Sequence, residues 1–322
     1  MKINGRGSSI GYRLMHQRIR NDYWLTVNRE TVRLTLKKIN PEGVERRSRR
    51  RFERRKYYSK GSNYIWHVDG YDKLKPFVFC IHGAIDGYSR RILWLEASFT
   101  NNDPRVIAEY YCDCIKQVGG APRIVRTDES TENCSVAGIQ CFFRRKSTDS
   151  FAGDKSFMYG RSVANQRIEA WWSFLRKTDS DWWIKLFKDI RDVGIYCNSN
   201  PVHVECLKFC FIKLIQDELK HVAQQWNLHR IRQCRNSDSL AGRPDVLLFL
   251  PELEETMDYA TPVPSDEIDL AKEICCDHVI ELPASREFVV LAHPIMEEEY
   301  LTMPDDAARR SSELINRSGF SY

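Results

Sequence analysis

Tyr64-Ile65-Trp66-His67-Val68-Asp69 is a run of aromatic and β-branched side chains that ends on an acid. Such a run reads as a strand, and its neighbours fall into place around it. Lys73-Leu74-Lys75-Pro76 turns the chain, Phe77 to Asp86 supplies a second strand, and Arg91-Ile92-Leu93-Trp94-Leu95-Glu96 a third. A helix is predicted from about Asp103 to Val118, where Val106, Ile107, Tyr110, Tyr111, Cys114 and Ile115 recur at helical spacing. Gly119-Gly120-Ala121-Pro122 ends it, and Arg123 to Asp128 reads as a fourth strand. Three strands, a helix and a strand predict a mixed α/β sheet with an antiparallel start.

Two acids stand at strand ends, Asp69 and Asp128, where side chains from different strands can converge on one edge of a sheet. A third acid, Glu169, lies in the stretch Arg161 to Lys177, which reads as a helix with Ile168, Trp172 and Leu175 inward and Asn165, Glu169 and Arg176 on a neighbouring face. Taken singly, an Asp at a strand end is more often a turn-former, and one Glu on a helix is a surface residue. Asp72 and Asp86 compete with Asp69, and Asp86 is read as the cap of the Gly87-Tyr88-Ser89 turn. Trp171 and Trp172 are read as core on one side. His67 and His82 are read as packed strand residues, since magnesium sites prefer oxygen.

The order Asp69, Asp128, Glu169 resembles the Asp-Asp-Glu triad of retroviral integrases and related transposases, the integrase core family with its ribonuclease-H-like fold. Trp66-His67-Val68-Asp69 and Ile85-Asp86-Gly87-Tyr88-Ser89-Arg90 resemble the family's first two strand ends, and Asn165-Gln166-Arg167-Ile168-Glu169 its catalytic helix. Within the family the chain is most similar to transposon-derived integrase-core proteins of animal genomes. Gly11-Tyr12-Arg13-Leu14-Met15-His16 resembles the helix-turn-helix ahead of the core in several bacterial transposases. The resemblance implies a mixed five-stranded sheet flanked by helices, and Asp69, Asp128 and Glu169 as catalytic residues and metal ligands. It implies two Mg2+ (or Mn2+) ions as cofactors and DNA cleavage and strand transfer as the activity. The chemistry is consistent with that set: phosphodiester transfer needs an activated nucleophile and charge neutralisation, which two ions supply, and such hard ions take oxygen ligands. Asp69 is the expected bridging ligand. Arg176, two turns beyond Glu169, is expected to meet a DNA phosphate. The sequence departs from the family at Ser130, in a position where the family has glycine, and 40 residues separate Asp128 from Glu169, more than in retroviral cores.

The net charge of +5 conceals a steep asymmetry. Residues 1–60 hold 18 Lys/Arg against 5 Asp/Glu, whereas residues 250–322 hold 5 against 17. The densest basic run, Arg46 to Lys56, includes Arg46, Arg47, Arg49, Arg50, Arg51, Arg54 and Arg55. On a polyanion such a run gives salt-dependent, sequence-blind affinity, and short basic runs also serve as nuclear localisation signals. Ahead of it, Tyr12, Met15 and Ile19 mark one short helix. Asn28 caps a second that carries Val32, Leu36 and Ile39 inward and is stopped by Pro41 and Gly43. This pair suits a helix-turn-helix with Arg29, Arg33 and Lys37 outward; a plain basic helical hairpin is the alternative.

No apolar run approaches the ~18 residues of a membrane helix, and the start shows no secretory core. The 11 cysteines include no C-x-x-C, which favours reduced, packed thiols over metal ligands. A nuclear protein with DNA as partner is therefore expected, with a homo-oligomer for joining two ends, no membrane and no small-molecule substrate. The expected division is 1–45 helix-turn-helix-like segment, 46–60 basic linker, 61–180 catalytic core, 181–250 helical extension and 251–322 acidic region. In the extension, Asp181 to Val193 and Val202 to Arg230 read as helices, the second with Val204, Leu207, Phe211, Leu214, Leu219, Val222 and Trp226 near heptad spacing. Packing on the chain's own core is favoured over a multimerisation surface. Two further readings stand beside strand transfer: a domesticated, catalytically weak or inactive DNA-binding protein that keeps the fold, to which Ser130 points, and a plain nuclease.

Overall fold

A computed structural model describes residues 10–48, 57–129, 131–160, 165–233, 240–276 and 283–298. The N-terminal helices are α1 (Tyr12–Tyr23), α2 (Arg29–Ile39) and α3 (Pro41–Ser48). The core begins with β1 (Ile65–Tyr71), β2 (Cys80–Asp86) and β3 (Ile92–Ser98), and continues with α4 (Pro104–Val118), β4 (Gly120–Ala121), β5 (Ile124–Thr127), α5 (Cys134–Phe143), β6 (Phe157–Tyr159) and α6 (Gln166–Leu175). Then come α7 (Asp181–Asp192), α8 (Pro201–Leu228), α9 (Pro244–Phe249), β7 (Thr261–Pro262), α10 (Ser265–Cys275) and α11 (Arg286–Glu298).

The central sheet has the order β3-β2-β1-β5-β6. β1 runs antiparallel to β2 and parallel to β5, and β6 joins β5 in parallel. This is the mixed five-stranded, helix-flanked sheet that the resemblance implies. Its fifth strand, Phe157-Met158-Tyr159, has no clear signal in the sequence, being three residues long, half-buried at the first two and exposed at Tyr159. Side chains alternate across β1. Trp66 and Val68 face α4 and α5 in one core, while Tyr71 and the β2 residues Ile81 and Ile85 join α6, α7 and α8 in the other. Polar groups set the helix starts: Asp103 accepts from the Arg105 amide ahead of α4, and Asn200 accepts from Val202 and His203 ahead of α8.

α8 packs on the chain's own core, with Leu207, Phe211, Leu219 and Val222 buried there and Val204, Leu214 and Trp226 against it. It also closes the outer edge of β3. Gln216 accepts from the Ala97 amide at 2.7 Å and Asn227 from the Ile92 amide at 2.8 Å, which occupies donors that would otherwise offer a sheet edge to another chain. Among the described residues no helix is long and apolar enough to cross a membrane. The first part of the acidic region docks on the core: Ile268 and Ala271 of α10 are buried beside α4, β7 pairs with β4, and Glu267 takes both Arg145 and Lys146.

The N-terminal helices form a small core of Ile10, Met15, Val32 and Leu36. Two local expectations differ. Ile39 is 51% exposed rather than inward, because the helical phase carries it past the α1 contact. Pro41 opens α3 instead of leaving a loop, since proline is well suited to a first helical turn. α1 ends on Trp24 in the left-handed region at φ 54°, with its side chain 90% exposed. A side chain other than glycine pays strain there, and this one has almost no packing to lose. Trp24→Gly is therefore expected to stabilise the helical pair by about 1 kcal/mol, read as roughly fivefold slower hydrogen exchange of the α1 and α2 amides.

Candidate active site

Parallel pairing of His67 with Arg126 puts Asp69, two residues on in β1, level with Asp128, which follows the end of β5. Period-two alternation then directs both carboxylates to the same face, the one that α6 covers. Glu169 lies in the first turn of α6. The three acids that the sequence singles out are thus brought into mutual electrostatic reach, and the Asp69 carboxyl responds to both of the others. Burial is the main cause of its shift from 3.8 to about 7, offset by a hydrogen bond from Trp172 and reinforced by the charges of Glu169 and Asp128. Burial also raises Glu169, with Asp128 adding to the rise and Lys73 opposing it.

α6 is tied to β1 on both sides of Glu169. One turn later, Trp172 Nε1 donates to Asp69 Oδ2 at 2.9 Å. One turn earlier, Asn165 Nδ2 donates to the Val68 carbonyl at 2.8 Å. The indole reaches Asp69 because its cross-strand neighbour in β2 is Gly83, where an added Cβ would stand 2.9 Å from Trp172 Cη2 and 3.2 Å from Leu95 Cδ1. Trp172 was expected in the core, and it is buried; its polar edge is what the reading of the stripe missed. An isolated glycine inside a bulky apolar strand is the signal that could have found this contact.

Asp86 serves the turn, as read. Its Oδ2 accepts from the Tyr88 and Ser89 amides and the Ser89 hydroxyl, and its Oδ1 from the Asn63 amide. Burial nonetheless pushes it up to about 6. His67 and His82 are both buried, and burial depresses each to about 3, so they stay neutral.

Arg29 and Lys37 are exposed on α2, and Arg33 pairs with Glu30 at 2.5 Å in a solvent-facing bridge that water screens. Arg176 is 3.7 Å from Asp181 and more than half exposed. It begins a π-helical stretch, Arg176–Ser180, that changes the helical phase after α6. Arg46 and Arg47 lie in the last turn of α3. Arg49, Arg50, Arg51, Arg54, Arg55 and Ser130 lie outside the described residues.

The donor set, three carboxylates with one raised by confinement near the other two, fits hard divalent cations. Among the described residues no three or more His, Cys, Asp or Glu side chains are gathered closely enough to hold a metal ion.

A family model described as Integrase core domain matches residues 56–241. No curated protein matches the chain. Among solved structures, the chain is similar at 13% identity to one in the cryo-EM structure of the simian T-cell lymphotropic virus intasome in complex with PP2A regulatory subunit B56 gamma. The similarity covers 79% of this chain and 80% of that chain at a TM-score of 0.38, a likeness too faint to bear on the chemistry.

Proposed function

Because this chain belongs to the integrase core domain family, whose members are integrase-type polynucleotidyl transferases, we propose that it is a transposon-derived DNA strand transferase working through Asp69, Asp128 and Glu169. The observation that supports the reading is the electrostatic coupling of the three carboxylates, on β1, just after β5 and on α6, with Asp69 raised to about 7 by burial and further by the other two. A polar site this costly in the metal-free fold favours a function over a packing role.

Mg2+ or Mn2+ ions, two per site, fit these residues: Asp69 with Asp128 would hold one, and Asp69 with Glu169 the other. Magnesium is ordinarily bound by one or two carboxylates together with substrate phosphate oxygens, so a preassembled set of three carboxylates is not required. When bound, the pair supplies activation of a water or 3′-hydroxyl and neutralisation of charge on the phosphate. The chain's own residues do the positioning. Trp172 fixes the plane of the Asp69 carboxylate, and the Asn165 tie seats the first turn of α6. Arg29, Arg33, Lys37, Arg176 and the basic run from Arg46 supply phosphate contacts, with affinity that falls steeply as salt rises. Joining two DNA ends calls for a homo-oligomer, and the basic run addresses the protein to the nucleus.

The test is a branched DNA that mimics a strand-transfer product, incubated with Mg2+ or Mn2+ and resolved on a denaturing gel. Wild type is expected to rejoin strands, and Asp128→Asn to fall by about a hundred- to a thousandfold, as for loss of a charge-stabilising group. Cleaved but unjoined strands would make the protein a nuclease. No product from wild type, with salt-sensitive DNA binding intact, would make it a DNA-binding protein that keeps only the fold.

A further inference from the structure

Asn165 has two separate attachments at the head of α6. Its backbone carbonyl accepts the Glu169 amide at 3.2 Å, and its side chain donates through Nδ2 to the carbonyl of Val68, the peptide that leads into Asp69. With Nδ2 committed as donor, Oδ1 is the acceptor, and His67 Nδ1 lies 2.6 Å from it. His67 therefore carries its proton on Nδ1 and offers a lone pair at Nε2. The Tyr57 hydroxyl, 2.6 Å away, donates to that lone pair. All three hydrogen bonds run one way, from Tyr57 through His67 and Asn165 to the backbone of β1.

Tyr57 is itself held. The Arg167 guanidinium lies 4.0 Å over its ring, and Arg167 Nε donates to the Gly87 carbonyl at 3.0 Å. His67 and Asn165 are each 1% exposed, so water does not readily replace a lost member. β1 and α6 are distant in sequence, and side chains must fix their relative height. Apolar packing under α6 resists separation but tolerates small sliding, whereas a directional chain of hydrogen bonds does not.

We propose that Tyr57, His67 and Asn165 form a positioning relay that sets the height of Glu169 against Asp69 and thereby tunes the divalent-ion affinity of the site. None of the relay side chains is a metal ligand; they act through the placement of Glu169. The inference rests on the strand-transferase reading and adds to it the residues that assemble its third acid.

Tyr57→Phe keeps the ring beneath Arg167 and deletes the hydroxyl, which donates to His67 and also accepts from Arg167. His67→Asn is the second variant: its amide can donate from near the place of Nδ1 but does not reach Tyr57. Full-length wild type, both variants and Tyr58→Phe, a control at an exposed site, are titrated with Mn2+ by calorimetry without DNA, then assayed on the branched DNA. Both relay variants are expected to fold, to bind Mn2+ about 3- to 10-fold more weakly as for loss of one buried hydrogen bond, and to lose kcat at limiting metal with KM for DNA unchanged. Tyr58→Phe is expected to match wild type. Folded relay variants with wild-type Mn2+ affinity overturn the relay, as does a loss confined to thermal stability. A wild type that binds Mn2+ but never acts on DNA overturns the strand-transferase reading while the affinity comparison still judges the relay. A wild type that binds no Mn2+ overturns both.

Discussion

Asp69→Asn is expected to lower cleavage and joining by about a thousandfold while making the metal-free protein more stable. The Asp69 carboxyl is pushed from 3.8 to about 7, chiefly by burial. Between those values the folded chain binds more protons than the unfolded one, so the stability of the metal-free protein falls as pH rises from about 4 to 7. Above pH 7 the full cost of ionising Asp69 is present, on the order of a few kcal/mol. Asparagine preserves an oxygen for Trp172 and removes the charge, so the variant should escape that cost. Thermal unfolding in EDTA from pH 5 to 8.5 checks this: the margin by which Asp69→Asn melts above wild type should widen as pH rises to about 7 and stay level from there to 8.5. Asp86, raised to about 6, and His67 and His82, lowered to about 3, give slopes of opposite sign that are common to both proteins, so the difference between them isolates Asp69. Adding Mn2+ at pH 8 should stabilise wild type and leave the variant nearly unmoved. A variant no more stable than wild type in EDTA would mean that Asp69 carries no such strain.

Gly83→Val is expected to be the most damaging single change away from the acids. The new side chain would enter the space of the Trp172 ring and lie 3.3 Å from the Trp94 carbonyl, which is backbone and cannot swing aside. Overpacking of this kind costs about 1–3 kcal/mol. Relief by displacing Trp172 would break the bond to Asp69 and lift α6, and Glu169 with it, from β1. Loss of both stability and Mn2+ affinity is therefore expected, measured by denaturant unfolding and by calorimetry. Trp172→Phe separates the two effects: the ring still covers Gly83, but the donor is gone. It should keep most of the stability, raise the Asp69 pKa further and bind Mn2+ more weakly. If Gly83→Val loses stability but keeps wild-type Mn2+ affinity, Gly83 and Trp172 are packing partners and nothing more.

Much of the architecture was legible from side-chain period. The runs ending at Asp69 and Asp86 alternate as strands, and Ile168, Trp172 and Leu175 repeat as a helix stripe. Both periods are local properties of the backbone, so they survive without knowledge of contacts. β6 escaped because three residues, two half-buried and one exposed, carry no period. The docking of the early acidic region was hidden as well: Glu267 against Arg145 and Ile268 against α4 are long-range pairings that composition cannot announce.

The three acids and their order were readable because each follows a recognisable element, and element type is written in neighbouring residues. What holds them was not. The seat of Trp172 on Gly83, the tie from Asn165 to Val68 and the link from Tyr57 through His67 join segments far apart in the chain. Each such bond depends on strand register and helix height, and those are set by packing of the whole sheet. Sequence period says which face a residue occupies; the packed sheet alone says what it meets there.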